Sequence, residues 1–275
     1  MRRIVLADGR RRGQGPDLRE DCSSTRERFP RSVKLIIALP VYNEEKSLPS
    51  LLSRIGESMR IAATPYRVLM VEDGSTDGSL AIAQSFVSLM PLHVLRHARN
   101  QGLGRAIRDA LLWATQNCSD ADAVVTLDAD NSQPPERIPE MLERLKAGVD
   151  VVIASRYAPG ARTLNVPFHR RIVSYLGNLA YRVRFSVRGV RDYTCGFRAY
   201  RAGILRTGFR VYGESLVRSR GFECMAEIFV KLRALGAAFA EVPFTLDYGA
   251  KPSPSKMRLC RAILGNLRVL IESET

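Results

Sequence analysis

The five cysteines of this sequence are odd in number and widely spaced, with no CxxC pair, which argues against both a disulfide framework and a zinc site. A reducing cytosol is therefore expected. No window reaches the roughly 18 to 20 consecutive apolar residues of a membrane span, and the Arg-rich beginning lacks the apolar core of a signal peptide. The expectation is a chain that neither crosses a membrane nor is secreted by that route. A GxxxxGK[ST] phosphate loop is missing, so a P-loop NTPase is excluded. The three histidines (His93, His97, His169) form no i, i+4 pair and read as unremarkable surface or loop residues. The single tryptophan, Trp113, and the cysteines read as packing residues.

What is present is a core and an uneven charge. Hydrophobic residues make up 45% of the 275, enough to exclude a chain disordered throughout. Arginines and lysines outnumber acidic residues 42 to 28, a net +14. Residues 33 to 153 carry 12 basic and 15 acidic side chains, whereas residues 154 to 220 carry 14 and 2. A basic block of that kind suits a polyanion, a phosphate head group or an anionic membrane, although a solvated basic face is the plainer reading.

Residues 1–32 show no apolar periodicity and read as a disordered basic leader. From Val33 onward, strand-like runs (33–40, 66–72, 92–95, 123–127, 150–154) alternate with helical patterns (from about 44, after 75, 102–115, 135–146). That alternation predicts βαβ units and a mostly parallel, doubly covered sheet, with ligands bound beyond the carboxyl ends of its strands. Acidic groups converge on those ends: Glu44-Glu45, Glu72-Asp73 and Asp128-Ala129-Asp130. Alternate residues of an extended segment point the same way, so Asp128 and Asp130 are placed to flank one hard cation, Mg²⁺ or Mn²⁺ rather than Zn²⁺. The competing reading is a turn whose Asp caps the helix near Pro135. Gly74-Ser75 reads as a tight turn with Ser75 or Thr76 as a helix cap, and Glu72 or Asp73 as an acceptor for a base or ribose.

These motifs, with Pro40-Val41-Tyr42-Asn43-Glu44, Asn100-Gln101-Gly102-Leu103-Gly104, Ala154-Ser155-Arg156-Tyr157, Asp192-Tyr193-Thr194-Cys195-Gly196-Phe197-Arg198 and Ser255-Lys256-Met257, occur in the order seen in family 2 glycosyltransferases. Across residues 33 to 260 the chain resembles polyprenyl-phosphate (dolichol-phosphate) mannosyltransferases and related glucosyltransferases. The resemblance implies an α/β GT-A fold, a GDP- or UDP-linked sugar donor, a divalent metal (Mg²⁺ or Mn²⁺) and an inverting single displacement. It further implies that Pro40, Tyr42, Glu44, Val71 and Asp73 hold the nucleoside. Asp128, Ala129 and Asp130 would meet metal and diphosphate, and Arg156, Arg170 and Lys256 would meet phosphates. Ser132 stands where the family pattern commonly has a metal-binding Gln, with Gln133 one place later. The usual late arginine is missing, and the sequence leaves open whether Lys251 replaces it.

A phosphate monoester is largely dianionic near neutral pH and attacks without a strong base, provided positive charge holds it in line. The basic block suits that acceptor, a polyprenyl phosphate at the inner face of the membrane. Asp192 has two readings: general base for a hydroxyl acceptor, or a carboxylate that orients arginines, with Arg191 or Arg198 as its ion-pair partner. The segment around Ile172, Val173, Leu176, Leu179, Ala180 and Val183, and residues 256–275, read as basic amphipathic helices able to lie on an anionic bilayer or else to pack on the core. The rival functions are a family 2 enzyme with a soluble acceptor and, remotely, a nucleic-acid or anionic-surface binding module. The latter leaves the strand-end carboxylates without a purpose, so no nucleic-acid partner is expected. Oligomeric state is not legible.

Overall fold

The computed structural model describes residues 35–251 and 259–272. The predicted leader, 1–32, and Lys256 lie outside the described residues. Strand β1 (Leu35–Val41), helix α1 (Leu48–Ile61), β2 (Arg67–Glu72), α2 (Ser79–Phe86), β3 (Leu92–Arg96), α3 (Leu103–Asn117), β4 (Ala123–Thr126), α4 (Ile138–Lys146) and β5 (Val151–Ser155) follow the predicted alternation closely. Then come β6 (Arg162–Leu164), α5 (Phe168–Phe185), β7 (Arg198–Arg201), α6 (Ala202–Tyr212), α7 (Cys224–Ala234), β8 (Phe239–Pro243), β9 (Thr245–Asp247) and α8 (Leu259–Glu272).

The main sheet has the order β3-β2-β1-β4-β7-β5-β8, with β6 and β9 forming a separate pair. Only β7 is antiparallel to its neighbours, so the sheet is mostly parallel. Central strands such as Ile36-Ile37-Ala38-Leu39 and Val151-Val152-Ile153-Ala154 are buried throughout, because helices cover both faces. Helix α1 turns Leu48, Leu51, Leu52, Ile55 and Met59 onto the sheet, and α3 turns Ala106, Ile107, Ala110, Leu111 and Ala114.

The chain runs from β1 outward to β2 and β3, then returns to place β4 on the other side of β1. A crevice opens at such a reversal, beyond the carboxyl ends of β1 and β4. Pro40 helps to open it. The sequence reading stops the first strand at this proline, yet β1 continues through it, with Pro40 beside Val71 and Val41 beside Glu72. The Val41 carbonyl accepts from Asp73 on the β2 side, whereas the Ala38 carbonyl accepts from Leu127 on the β4 side. Alternation along the strand therefore puts the missing donor of Pro40 on the β4 side, so the β1–β4 ladder ends there and Asp128–Asp130 peels away.

Ser75 and Thr76 do not cap α2. That helix starts four residues after Ser75, capped at Gly78, and the Ser75 hydroxyl instead accepts from the Asn43 backbone N–H at 3.0 Å. The turn needs Gly74 because its φ is +68° and a Cβ there would strike the backbone of Arg99.

Candidate active site

The strand ends bring the predicted nucleoside residues to one edge. Pro40 and Val71 are register partners, Tyr42 lies just past β1 and is 36% exposed, and Glu44 and Asp73 are buried. The Glu44 carboxylate accepts from the Ser47 hydroxyl at 2.7 Å, and Glu44 N–H donates to the Ser79 hydroxyl at 2.8 Å. Asp73 accepts from the backbone N–H groups of Gln101 and Gly102, each at 2.9 Å, and faces the His97 ring at 2.7 Å. It thereby joins the end of β2 to the loop that opens α3. His97 is a correction to the sequence reading: it is buried, between Asp73 and Asp109.

After β4 the chain turns sharply at Asn131, whose φ of +62° asparagine tolerates better than most residues. Arg54 of α1 holds this turn, donating to Asn131 at 2.7 Å and to both oxygens of Glu136. Asp128 accepts from Gln133 Nε2 at 2.6 Å, while its own backbone N–H donates to Gln133 Oε1 at 2.9 Å. Asp130 Oδ1 accepts from the Ser132 hydroxyl at 2.6 Å and the Ser132 N–H at 3.0 Å. Neither carboxylate caps the helix at Pro135. Ala129 between them is buried, and Ser132 Oγ points its proton at Asp130.

Lys251 Nζ lies 2.6 Å from Asp130 Oδ2. Position answers part of the question the sequence left open: Lys251 reaches this pair of carboxylates. Burial raises the pKa of Asp128, and the Asp130 charge beside it raises it further. Burial also opposes charge on Asp130, but the Lys251 ammonium more than offsets it and holds that carboxyl below its usual value. Two half-buried oxygen-donor groups that resist being charged together suit a divalent cation, which would neutralise both. No cluster of three or more His, Cys, Asp or Glu side chains able to hold a metal occurs among the described residues. Further ligands for a cation here would be diphosphate oxygens and water.

Asp192 is fully buried and pairs with neither Arg191 nor Arg198; its partner is Arg156. The Arg156 guanidinium donates to both oxygens at 2.7 Å, and Arg156 N–H adds a bond at 3.0 Å. The Cys195 and Thr194 N–H groups complete the set at 3.1 and 3.3 Å. Burial works against the Asp192 charge, but Arg156 outweighs it and keeps the pKa below the ordinary value. With five donors on two oxygens, Asp192 has no place for an incoming proton. Arg156 also donates to Thr194 Oγ1 at 2.8 Å and lies near enough to Asp128 to lower that group's pKa.

Helix α5 ties into this cluster from its inner side. Asn178 donates to Thr194 Oγ1 and accepts from Tyr193 N–H, and Ser174 bonds the Tyr157 hydroxyl at 2.8 Å. Arg170, in its first turn, has a buried Nη1 without a hydrogen-bond partner among the described residues. On the outer side Phe168, Tyr175, Leu176 and Val183 are exposed, Phe168 and Val183 by 75% and 78%. Helix α8 packs against α5 through Tyr181 and Asn266 and likewise exposes Leu264, Leu267 and Ile271.

Sequence reasoning noted Gln133 beside Ser132 and held Thr194 within the Asp192–Arg198 motif, but gave neither a role, and it passed over His97 and Asn178 as site residues. Those two carried no local signal, because His97 meets Asp73 and Asp109, and Asn178 meets Thr194 and Tyr193, across 12 to 24 residues of chain.

The family model described as glycosyl transferase family 2 matches residues 36–209. Over 214 residues the chain is 33% identical to an undecaprenyl-phosphate mannosyltransferase of Micrococcus luteus, covering 78% of this chain and 83% of that one. It is 33% identical over 216 residues to a polyprenol monophosphomannose synthase of Mycolicibacterium smegmatis, covering 77% of each. A solved structure of glucosyl-3-phosphoglycerate synthase from Mycobacterium tuberculosis, in complex with Mg²⁺ and uridine diphosphate, superposes with a TM-score of 0.61 at 17% identity. It covers 88% of this chain and 79% of that one, and shares the fold.

Proposed function

We propose that this chain, which belongs to glycosyl transferase family 2 and is a glycosyltransferase with the GT-A fold, moves a mannose- or glucose-type hexose from a GDP- or UDP-linked donor to a polyprenyl phosphate, with inversion. The names of the Micrococcus and Mycolicibacterium relatives support a lipid-phosphate acceptor. The observation that carries this reading is the state of Asp192. A hydroxyl acceptor would need a base, and the candidate base has every acceptor position occupied by Arg156 and backbone N–H groups. A phosphate acceptor needs no base, only cations that hold it in line.

In this mechanism Asp128 and Asp130 would hold Mg²⁺ or Mn²⁺, which would take up charge developing on the leaving nucleoside diphosphate. Gln133 and Ser132 fix the two carboxylates from behind. Asp192 locks Arg156 in one orientation near Asp128, and Arg170, in the first turn of α5, would meet the acceptor phosphate. Pro40, Tyr42, Glu44, Val71 and Asp73 line the nucleoside end.

The test is transfer of radiolabelled sugar to polyprenyl phosphate, compared with soluble hydroxyl acceptors, with GDP- and UDP-linked donors in parallel. Product on the lipid alone supports the reading, whereas product on the soluble acceptors alone overturns it. Within that assay Arg170→Lys is expected to lose at least tenfold in transfer, since an ammonium cannot reproduce the guanidinium fork. Donor affinity measured by calorimetry should hardly change. Equal loss of nucleotide binding would move Arg170 to the donor side.

The reading also places the protein on the inner membrane face. No described helix is long and apolar enough to cross a membrane. The outward apolar faces of α5 and α8 carry exposed arginines, among them Arg171, Arg182, Arg184 and Arg268. Basic residues near an anionic surface contribute roughly 1 kcal/mol each, and apolar side chains sink to the acyl boundary. The protein should therefore co-sediment with phosphatidylglycerol vesicles at low salt and much less with phosphatidylcholine. Attachment should weaken at several hundred millimolar salt, where screening shortens to a few ångströms. It should also weaken in the triple variant Arg182→Gln, Arg184→Gln, Arg188→Gln. A protein left in solution with both lipids at low salt would favour a soluble acceptor.

A further inference from the structure

His97 follows β3 directly, and its backbone N–H donates to the Glu72 carbonyl at 2.8 Å. The ring is 6% exposed. Nδ1 lies 2.7 Å from Asp73 Oδ1 and Nε2 lies 3.1 Å from Asp109 Oδ2. Both partners are carboxylates, which accept and do not donate when ionised. Only the imidazolium carries two N–H donors, so the geometry selects the charged ring.

The surroundings agree. Asp109 on α3 is itself held by Arg105 Nε at 2.8 Å and Arg108 Nε at 3.2 Å, and Arg108 reaches on to Glu214. On the β2 side Glu72 faces Arg96 at 3.8 Å. Among these groups the two hydrogen-bonded carboxylates dominate. The bond to Asp109, then that to Asp73, lifts the His97 pKa to about 9 against the opposing effect of burial.

Asp73 has about four acceptor positions. The imidazolium and the Gln101 N–H take those on Oδ1, and the Gly102 N–H takes one on Oδ2. Among the described residues, nothing takes the remaining position on Oδ2. Gly102, at φ +96°, is the residue before α3, and a Cβ there would lie 2.7 Å from the Arg220 carbonyl oxygen. A carboxylate freed from His97 would therefore lose its orientation and slacken its hold on this loop together.

We propose that His97 is a positioning residue for donor binding: clamped between Asp73 and Asp109, its imidazolium fixes the Asp73 carboxylate so that one acceptor position stays presented to an N–H of the nucleoside. The proposal rests on the reading that Asp73 meets the nucleoside. Its physical consequence is a pH dependence. A group whose pKa is raised on folding contributes its full stabilisation below the unfolded value, about 6.5, and loses it as pH rises through about 9. Donor affinity should follow the same titration.

The experiment is calorimetry of GDP and UDP with Mn²⁺ between about pH 7 and pH 10, on the wild type, Asp73→Asn, His97→Gln and Asp109→Asn. Folding of each variant is checked by circular dichroism. The neutral His97→Gln carries its donors on one nitrogen and cannot span the two carboxylates as the charged ring does, and is expected to bind about tenfold more weakly at neutral pH, the equivalent of one charge-assisted hydrogen bond. In the assay KM for the donor should rise with kcat nearly unchanged. The base N–H also titrates at alkaline pH, so an alkaline loss in the wild type alone decides nothing. Asp109→Asn decides it. Removing that carboxylate lowers the His97 pKa without touching Asp73, and the midpoint for nucleotide binding should move down by about one pH unit or more. This variant also serves if His97→Gln does not fold. An unmoved midpoint in Asp109→Asn, or wild-type affinity in His97→Gln where Asp73→Asn binds weakly, overturns the role of His97 alone. Wild-type affinity in Asp73→Asn overturns the reading of Asp73 and this proposal with it.

Discussion

Replacing Asp128 or Asp130 by asparagine is expected to lower sugar transfer by ~1,000-fold or more, the scale of several kcal/mol of charge stabilisation at a leaving diphosphate. The fold should survive. Burial already disfavours charge on Asp128, so an isosteric neutral amide fits its place against Gln133. Asp130→Asn is the more disruptive of the two, because it leaves the Lys251 ammonium, only 11% exposed, without its carboxylate. Exhaustive chelation should reproduce the loss in the wild type, and Mn²⁺ or Mg²⁺ should restore activity. Transfer assays on the variants, with thermal unfolding as the control, check both halves. Full activity after chelation would remove the metal from the reading while leaving the fold and family untouched.

Breaking the Arg156–Asp192 pair is expected to cost stability as well as activity. Asp192 is fully buried, and Asp192→Ala strips the half-buried Arg156 guanidinium of the carboxylate it is bonded to, a change on the order of 3 kcal/mol. For a domain of this size that corresponds to a fall in Tm of about 10 °C, measurable by calorimetry. The sign with pH also follows. Arg156 holds the Asp192 pKa below its ordinary value, so the stabilisation is complete above about pH 4 and lost only as pH falls through the lowered value. Acid unfolding of Asp192→Asn should therefore be flatter than that of the wild type below pH 4. A stability unchanged by Asp192→Ala would mean that Arg156 finds another partner, and that the pair does not hold the site's geometry.

The two predictions separate what lies in short stretches of chain from what lies across it. The DxD carboxylates are two residues apart on one extended segment, so their common direction follows from strand geometry. The Arg156–Asp192 pair spans 36 residues and joins the end of β5 to the loop before β7. Sequence proximity pointed to Arg191 and Arg198, because an acidic residue flanked by arginines suggests a local pair. Arg198 instead sits buried, donating to the carbonyls of Met225 and Tyr193.

The sequence by itself determined the alternation of strands and helices through β5, since apolar period and turn residues are local properties of the chain. It also determined which acidic groups end the strands. The tertiary structure alone decided how those groups are used. His97 looked like a loop residue until β3, β2 and α3 closed around it and placed carboxylates on both ring nitrogens. The helical stripe of α5 is written as Ile172, Leu176, Leu179 and Val183 either way, and periodicity is the same for a face turned to the core and a face turned to the outside. The fold settled the matter by turning Asn178, Tyr181 and Phe185 inward, where hydrogen bonds and ring stacking hold them, which leaves the apolar stripe on the surface. Pairing between distant stretches of chain, and the direction in which an apolar stripe faces, are properties of distance in space that a residue's neighbours along the chain do not encode.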